Sequence, residues 1–224
     1  ESQFEEATIE LLREAHWQYT LGDDIHRKYT DPLIEEDLRN FLAVQYKDKN
    51  LTTSEMDGIV ANLRNTGGQN DYYALRNAFL LYRDGYDFAY SDSRDNPFRM
   101  EYIDFEHPDH NIFRCVNQFV MGQGRENRRP DILLFINGIP VCIIELKNPT
   151  KQNATIRDAH TQICTRYMRD IPALLKYCAL AVISDGAKNA LGTTYTPFEF
   201  FYEWKKIENE DKAGKGLDTL RTLI

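Results

Sequence analysis

No run of about 18 apolar residues occurs anywhere in the 224-residue chain, so it encodes no membrane-spanning helix. The opening Glu1-Ser2-Gln3-Phe4-Glu5 has neither a basic region nor an apolar one of the kind a secretory signal carries, and a cytoplasmic protein is expected. Cysteine is sparse and unpaired in sequence. Cys115, Cys142, Cys164 and Cys178 form no CxxC and sit in apolar or helical stretches, as reduced core thiols do. The histidines at 16, 26, 107, 110 and 160 include no HExxH and no pairing with cysteine at zinc spacing, which removes the main metalloprotease and zinc-finger readings. Nor is there a GxxxxGK[ST] loop: Gly214-Lys215-Gly216 lacks the first glycine and the Ser/Thr, so this chain carries no ATP motor. Positive charge is in deficit, with 27 Lys+Arg against 35 Asp+Glu and a net charge of -8. A surface of that sign tracks phosphates poorly. What the chain does have is 42% hydrophobic residues, enough to bury a core and to make global disorder untenable.

Helical periodicity dominates the front. Phe4, Ala7/Thr8, Leu11/Leu12 and Ala15 form one face of a helix over 4–17. Asp31-Pro32 reads as the start of a second helix through about Tyr46, Thr53-Ser54 opens a third to about Arg64, and Asp71 to Tyr82 is a fourth. Thr66-Gly67-Gly68-Gln69-Asn70 reads as a turn between helices. After Gly85 the texture changes to short apolar runs at 100–105, 112–120, 132–136, 139–145 and 178–183, with a helical pattern from Thr155 to Tyr177 broken at Pro172. Helix, consecutive strands, helix and strand predict an α/β fold around a mixed sheet. The expected organisation is one domain over 1–204, with a mainly helical lobe at 1–85 and an α/β core at 86–204. From Glu203 onward the chain is polar and reads as an exposed terminal segment, with 205–224 a linker.

The chemistry concentrates between Arg128 and Pro149. Two nearly uniform apolar strands, Ile132–Ile136 and Ile139–Ile144, flank Asn137-Gly138, a strong hairpin signal. Such strands lie centrally in a sheet, so Asp131, Glu145 and Lys147 at their ends stand out. Ionised groups there are costly unless paired or bound to a metal. Glu145 and Lys147, two residues apart, share a sheet face.

Register decides whether Asp131 joins them. A strict two-residue turn throughout would pair Asp131 with Ile144 and send the two carboxylates to opposite faces. A three-residue connection, with Gly138 left-handed in a bulge, pairs Asp131 with Ile143 and brings all three side chains to one face. That bulge, or an equivalent slip, is the expectation. Two carboxylates and the intervening backbone carbonyl suit a hard divalent cation, and a neighbouring lysine can serve a nucleophilic water in phosphodiester hydrolysis. A Glu-Lys-Asp ion-pair cluster at a sheet end remains the alternative.

Pro130-Asp131 followed across a hairpin by Glu145-Leu146-Lys147 resembles the PD-(D/E)xK signature of restriction-endonuclease-like folds. More narrowly, Val116-Asn117-Gln118-Phe119, Asn127-Arg128-Arg129-Pro130-Asp131, Ile144-Glu145-Leu146-Lys147-Asn148-Pro149, and Tyr167 ahead of Asp170-Ile171-Pro172 resemble the amino-terminal nuclease domain of the restriction (R) subunit of type I restriction-modification enzymes. The resemblance implies a core of helix, three strands, helix and strand. It implies Mg²⁺-dependent (or Mn²⁺-dependent) cleavage of double-stranded DNA, with Asp131 and Glu145 as metal ligands and Lys147 at the nucleophilic water. ATP would belong to helicase/translocase domains beyond this chain, and methylation and specificity subunits would be the other partners.

Family members often add a helical glutamate, for which Glu5 is the candidate and Glu10 the substitute. They also carry QxxxY on the helix after the hairpin. Here Gln162 and Tyr167 are separated by four residues instead of three, a spacing that shares no stripe on an α-helix. Arg128 and Arg129 are candidate phosphate contacts. The local balance over 124–152, five basic to three acidic, is only mildly favourable, which fits DNA delivered by a motor better than independent capture. A catalytically silent docking or DNA-sensing module is the competing function, and a free-standing repair or RNA nuclease a third.

Overall fold

The computed structural model describes residues 2–92, 95–122, 127–147, 155–205 and 216–223. The Asn148-Pro149 end of the hairpin motif, the acidic stretch at 208–212 and Gly214-Lys215 lie outside them. Along the chain run α1 (Ser2–Glu14), β1 (Gln18–Leu21), α2 (Glu35–Gln45), α3 (Thr53–Asn65), α4 (Asp71–Asp84), β2 (Tyr86–Phe88), β3 (Phe98–Met100), β4 (Phe113–Asn117), β5 (Ile132–Ile136) and β6 (Ile139–Leu146). They are followed by α5 (Ile156–Thr161), a π-helical turn (Gln162–Tyr167), α6 (Met168–Asp170), α7 (Pro172–Leu175), β7 (Leu180–Ser184), β8 (Asn189–Gly192), β9 (Tyr202–Trp204) and α8 (Leu217–Leu223). Seven strands form one mixed sheet in the order β1-β4-β5-β6-β7-β8-β9, and β2 and β3 make a separate hairpin. The β1–β4 and β6–β7 pairs are parallel and the others antiparallel. This is the α/β, restriction-endonuclease-like arrangement expected, with helices on both faces.

Strand alternation divides the core. Leu133, Phe135 and Ile143 pack with Ala159, Ile163, Tyr167 and Leu174 beneath α5 to α7. Ile132, Leu134, Cys142, Ile144 and Leu146 pack on the other face with Ile9, Leu11 and Leu12 of α1 and Leu220 of α8. A third cluster joins α2, α3 and α4 (Leu38, Phe41, Leu42, Ile59, Leu63, Tyr82) to Ile139 at the hairpin end of the sheet. The helical lobe therefore consists of α2 to α4, whereas α1 and β1 belong to the sheet. The four cysteines are free, and three are buried.

Several boundaries differ from expectation for identifiable reasons. The second helix starts at Glu35, not at Asp31-Pro32, because Ile34 N–H donates to the Gly138 carbonyl at 2.9 Å, tying that segment to the hairpin turn. The strand expected over 100–105 ends at Met100, where it closes the small hairpin. Short strands β1, β8 and β9 carry too few residues to show a period. The terminal segment is not simply exposed: Tyr202–Trp204 pairs with β8, and Leu220 of α8 is fully buried against the sheet. Leu220→Ala should lower unfolding free energy by about 2–5 kcal/mol, read from urea denaturation, because it opens a cavity in the core. A change below about 0.5 kcal/mol would mean α8 is a detachable tail.

Candidate active site

The hairpin turn is a two-residue one: Ile136 pairs with Ile139, and Asn137 and Gly138 both have positive φ (50° and 76°). Asn137 tolerates that conformation and Gly138 needs no Cβ, which would stand 2.1 Å from the Ile34 carbonyl oxygen. The slip lies farther along. Phe135 pairs with Pro140, but Leu134 pairs with Cys142, so Val141 is the extra residue of a bulge in β6. Proline lacks the N–H a regular ladder needs and is accommodated at bulges. Beyond it Leu133 faces Ile143 and Ile132 faces Ile144, a register that continues to Asp131 opposite Glu145. The bulge expected at Gly138 is thus replaced by an equivalent slip at Val141, and its consequence is the same. Asp131, Glu145 and Lys147 share the face that carries Leu133 and Ile143.

On that face the side chains interlock. Glu145 is fully buried and Lys147 nearly so. Lys147 Nζ donates to Glu145 Oε1 at 2.8 Å and to Gln162 Oε1 at 2.8 Å. Gln162 Nε2 donates to Tyr167 Oη at 2.6 Å, and Tyr167 Oη lies 3.3 Å from Glu145 Oε2 and 3.4 Å from the Arg129 carbonyl. Leu146 N–H donates to Asp131 Oδ2 at 2.7 Å, and Lys147 N–H to the Ser184 carbonyl at 2.8 Å. Burial, with the Asp131 carboxylate adding to it, pushes the Glu145 carboxyl up to about 8, because Lys147 and the Tyr167 hydroxyl pull it back only in part.

The π turn resolves the spacing of Gln162 and Tyr167. Residues five apart are the hydrogen-bonding partners of a π-helix, so Gln162 and Tyr167, which would diverge on an α-helix, come side by side. The extra residue is absorbed in the backbone, and Ile163, which matches the family spacing, is buried in the core.

Not every candidate converges. Arg128 is held by Asp170 (Nε to Oδ2, 2.7 Å), whose carboxyl Arg169 and Arg128 together bring down to about 2. Arg128 therefore serves an ion pair, a partner that sequence order did not suggest, whereas the Arg129 side chain is exposed. Glu5 is buried and accepts from Asn117 Nδ2 (2.9 Å) and Gln118 Nε2 (3.0 Å), with Asn117 on the α1 face of the sheet, opposite to Glu145. Glu10 pairs with Arg13 at the surface.

A family profile described as type I restriction enzyme R protein N terminus matches residues 1–200. The chain belongs to this family. It is 29% identical over 236 aligned residues to a protein of Haemophilus influenzae named type I restriction enzyme HindI endonuclease subunit, covering all of this chain and 22% of that protein. A Methanocaldococcus jannaschii protein, provisionally named the MjaIXP endonuclease subunit of a type I restriction enzyme, is 30% identical over 215 residues, 92% of this chain and 20% of its own length. The chain thus spans about a fifth of these relatives and corresponds to the N-terminal region of an R subunit.

The raised Glu145 carboxyl has a stability consequence. Between the ordinary value of 4.5 and about 8 the folded state holds a proton that the unfolded chain releases, so stability from this group is full below 4.5 and is lost as pH rises toward 8. In chelator-treated buffer, the stability of wild type relative to Glu145→Gln should fall across that window by up to about 1.4 kcal/mol per pH unit. A pH-independent difference in urea unfolding would contradict this account of the buried carboxyl.

Proposed function

We propose that this region is the Mg²⁺-dependent endonuclease domain of a type I restriction enzyme R subunit, hydrolysing phosphodiester bonds of duplex DNA. The observation that carries the reading is the convergence of Asp131, Glu145 and Lys147 on one face at the end of β5 and β6, with Gln162 and Tyr167 closing around them. The donor set fits a hard cation: the two carboxylates offer oxygen only, and the Leu146 carbonyl lies in the chain between Glu145 and Lys147. Asp131 and Glu145 would hold the ion, with Mn²⁺ as a substitute for Mg²⁺. When bound, such an ion supplies Lewis-acid charge for the scissile phosphate and an activated water.

The chain's own groups supply position and proton handling. Lys147, gripped by Glu145 and Gln162, is fixed where an ammonium can orient the attacking water and offset charge developing on phosphoryl oxygens. Gln162 and Tyr167 act through Lys147 and Glu145 as positioning residues. Arg129 is the exposed phosphate-contact candidate, while Arg128, committed to Asp170, stiffens the approach to Asp131. Glu5 orders the end of β4 through Asn117 and Gln118.

Net charge of -8 favours delivery of DNA over independent capture. We therefore assign the delivery to ATP-driven helicase/translocase domains of the longer subunit, and sequence readout to the methylation and specificity subunits of a cytoplasmic complex.

Two measurements test this reading. Calorimetric titration of Mn²⁺ should show binding to wild type that Asp131→Ala loses; equal binding by both would favour the silent docking module. In the complete restriction complex, Lys147→Ala should reduce DNA cleavage by at least about a hundredfold with ATP turnover retained. Undiminished cleavage would remove Lys147 from the chemistry.

A further inference from the structure

The loop between β3 and β4 carries a second group of ligating side chains, at the opposite end of the sheet from Glu145. Asp104, His107 and His110 present one ligand atom each, all within 4.8 Å of one another. His107 precedes a 3₁₀ turn over Pro108–His110, and three residues per turn bring positions 107 and 110 into line. Their rings stack with centroids 5.0 Å apart and planes at 18°. Both Nδ1 atoms converge on the same oxygen: His110 Nδ1 is 3.1 Å and His107 Nδ1 3.6 Å from Asp104 Oδ2. Ligands at zinc distances of about 2.1 Å in a tetrahedron stand about 3.4 Å apart, so the two separations bracket an edge of that polyhedron.

The carboxylate is prepared for the task. Asp104 is buried whereas both histidines are more than half exposed, so a fourth position faces solvent. Asp104 Oδ1 accepts the backbone N–H groups of Glu106 and His107, and Gln45 Nε2 donates to Oδ2 at 3.1 Å. The loop is pinned as well. Asp104 N–H donates to Asn111 Oδ1 and Asn111 Nδ2 to the Asp104 carbonyl, while Asn137 Nδ2 of the hairpin turn also donates to Asn111 Oδ1. Outer hydrogen bonds of this kind orient ligands before the ion arrives.

We propose that Asp104, His107 and His110 form a zinc-binding site, with water in the fourth position, that fastens this loop to α2 and the hairpin turn. Imidazole nitrogen beside one carboxylate suits Zn²⁺ and discriminates against the magnesium expected at an all-oxygen site. The two sites lie at opposite ends of β6, whose eight residues span about 25 Å. Each ring would ligate through its Nδ1 lone pair with its proton on Nε2, so the coordinated rings are neutral, and any proton held on Nδ1 beforehand moves to Nε2 or leaves to solvent.

Zinc titration of the untagged 224-residue chain, followed by calorimetry and by the visible spectrum of Co²⁺ as a substitute, tests the site. Wild type should bind zinc at micromolar concentration, show the intense absorption of four-coordinate Co²⁺, and melt at higher temperature with zinc than with chelator. His107→Ala/His110→Ala should weaken zinc binding by more than about a hundredfold, since loss of an outer partner alone costs ten- to a hundredfold. The single His110→Ala variant provides a second, milder readout of the same loss, and Asp131→Ala should leave zinc binding unchanged. Equal zinc affinity in wild type and the double variant, absence of binding by wild type at micromolar zinc, or loss of binding in Asp131→Ala would each overturn the proposal.

Discussion

One backbone irregularity governs the site. Val141 bulges out of β6 immediately after Pro140, and the pairing of β5 with β6 changes parity there. A side-chain period of two means that a slip of one residue moves every later side chain to the other face of its partner's frame. With the slip, Asp131 comes level with Glu145 on the face covered by α5 and the π turn; without it, the carboxylates would be divided by the sheet. Everything polar in the centre is arranged around that alignment.

The cost of assembling these groups explains the surrounding structure. A fully buried carboxylate next to another carboxylate is unfavourable, and the elevated Glu145 carboxyl expresses that. Lys147, Gln162 and Tyr167 offset part of the cost through a continuous chain of hydrogen bonds. The π turn belongs to the same solution. It departs from α-helical geometry over one short segment, and by doing so it sets Gln162 beside Tyr167 while Ile163 and Tyr167 remain buried in the core.

Much of the molecule was legible in the order of residues. The central hairpin, the apolar strands flanking it and the face shared by Glu145 and Lys147 follow from strand alternation and from Asn137-Gly138. Pro140 was the available sign of where the register would slip, because it cannot contribute an N–H to the ladder. The spacing of Gln162 and Tyr167 carried a sign too: a mismatch of one residue is what a π turn accommodates. The engagement of Arg128 by Asp170 and of Glu5 by Asn117 and Gln118 carried none, since those partners are 42, 112 and 113 residues away in the chain.

Sequence alone determined the chemistry present and the local elements that bear it, because residue type, turn preference and periodicity act over a few neighbours. Tertiary structure decided which carboxylates meet, which arginine is already taken, and that α8 completes the sheet's second face through Leu220. Those outcomes depend on packing between segments far apart in the chain, where a shift of one residue or the burial of one side chain selects among arrangements with the same local preferences.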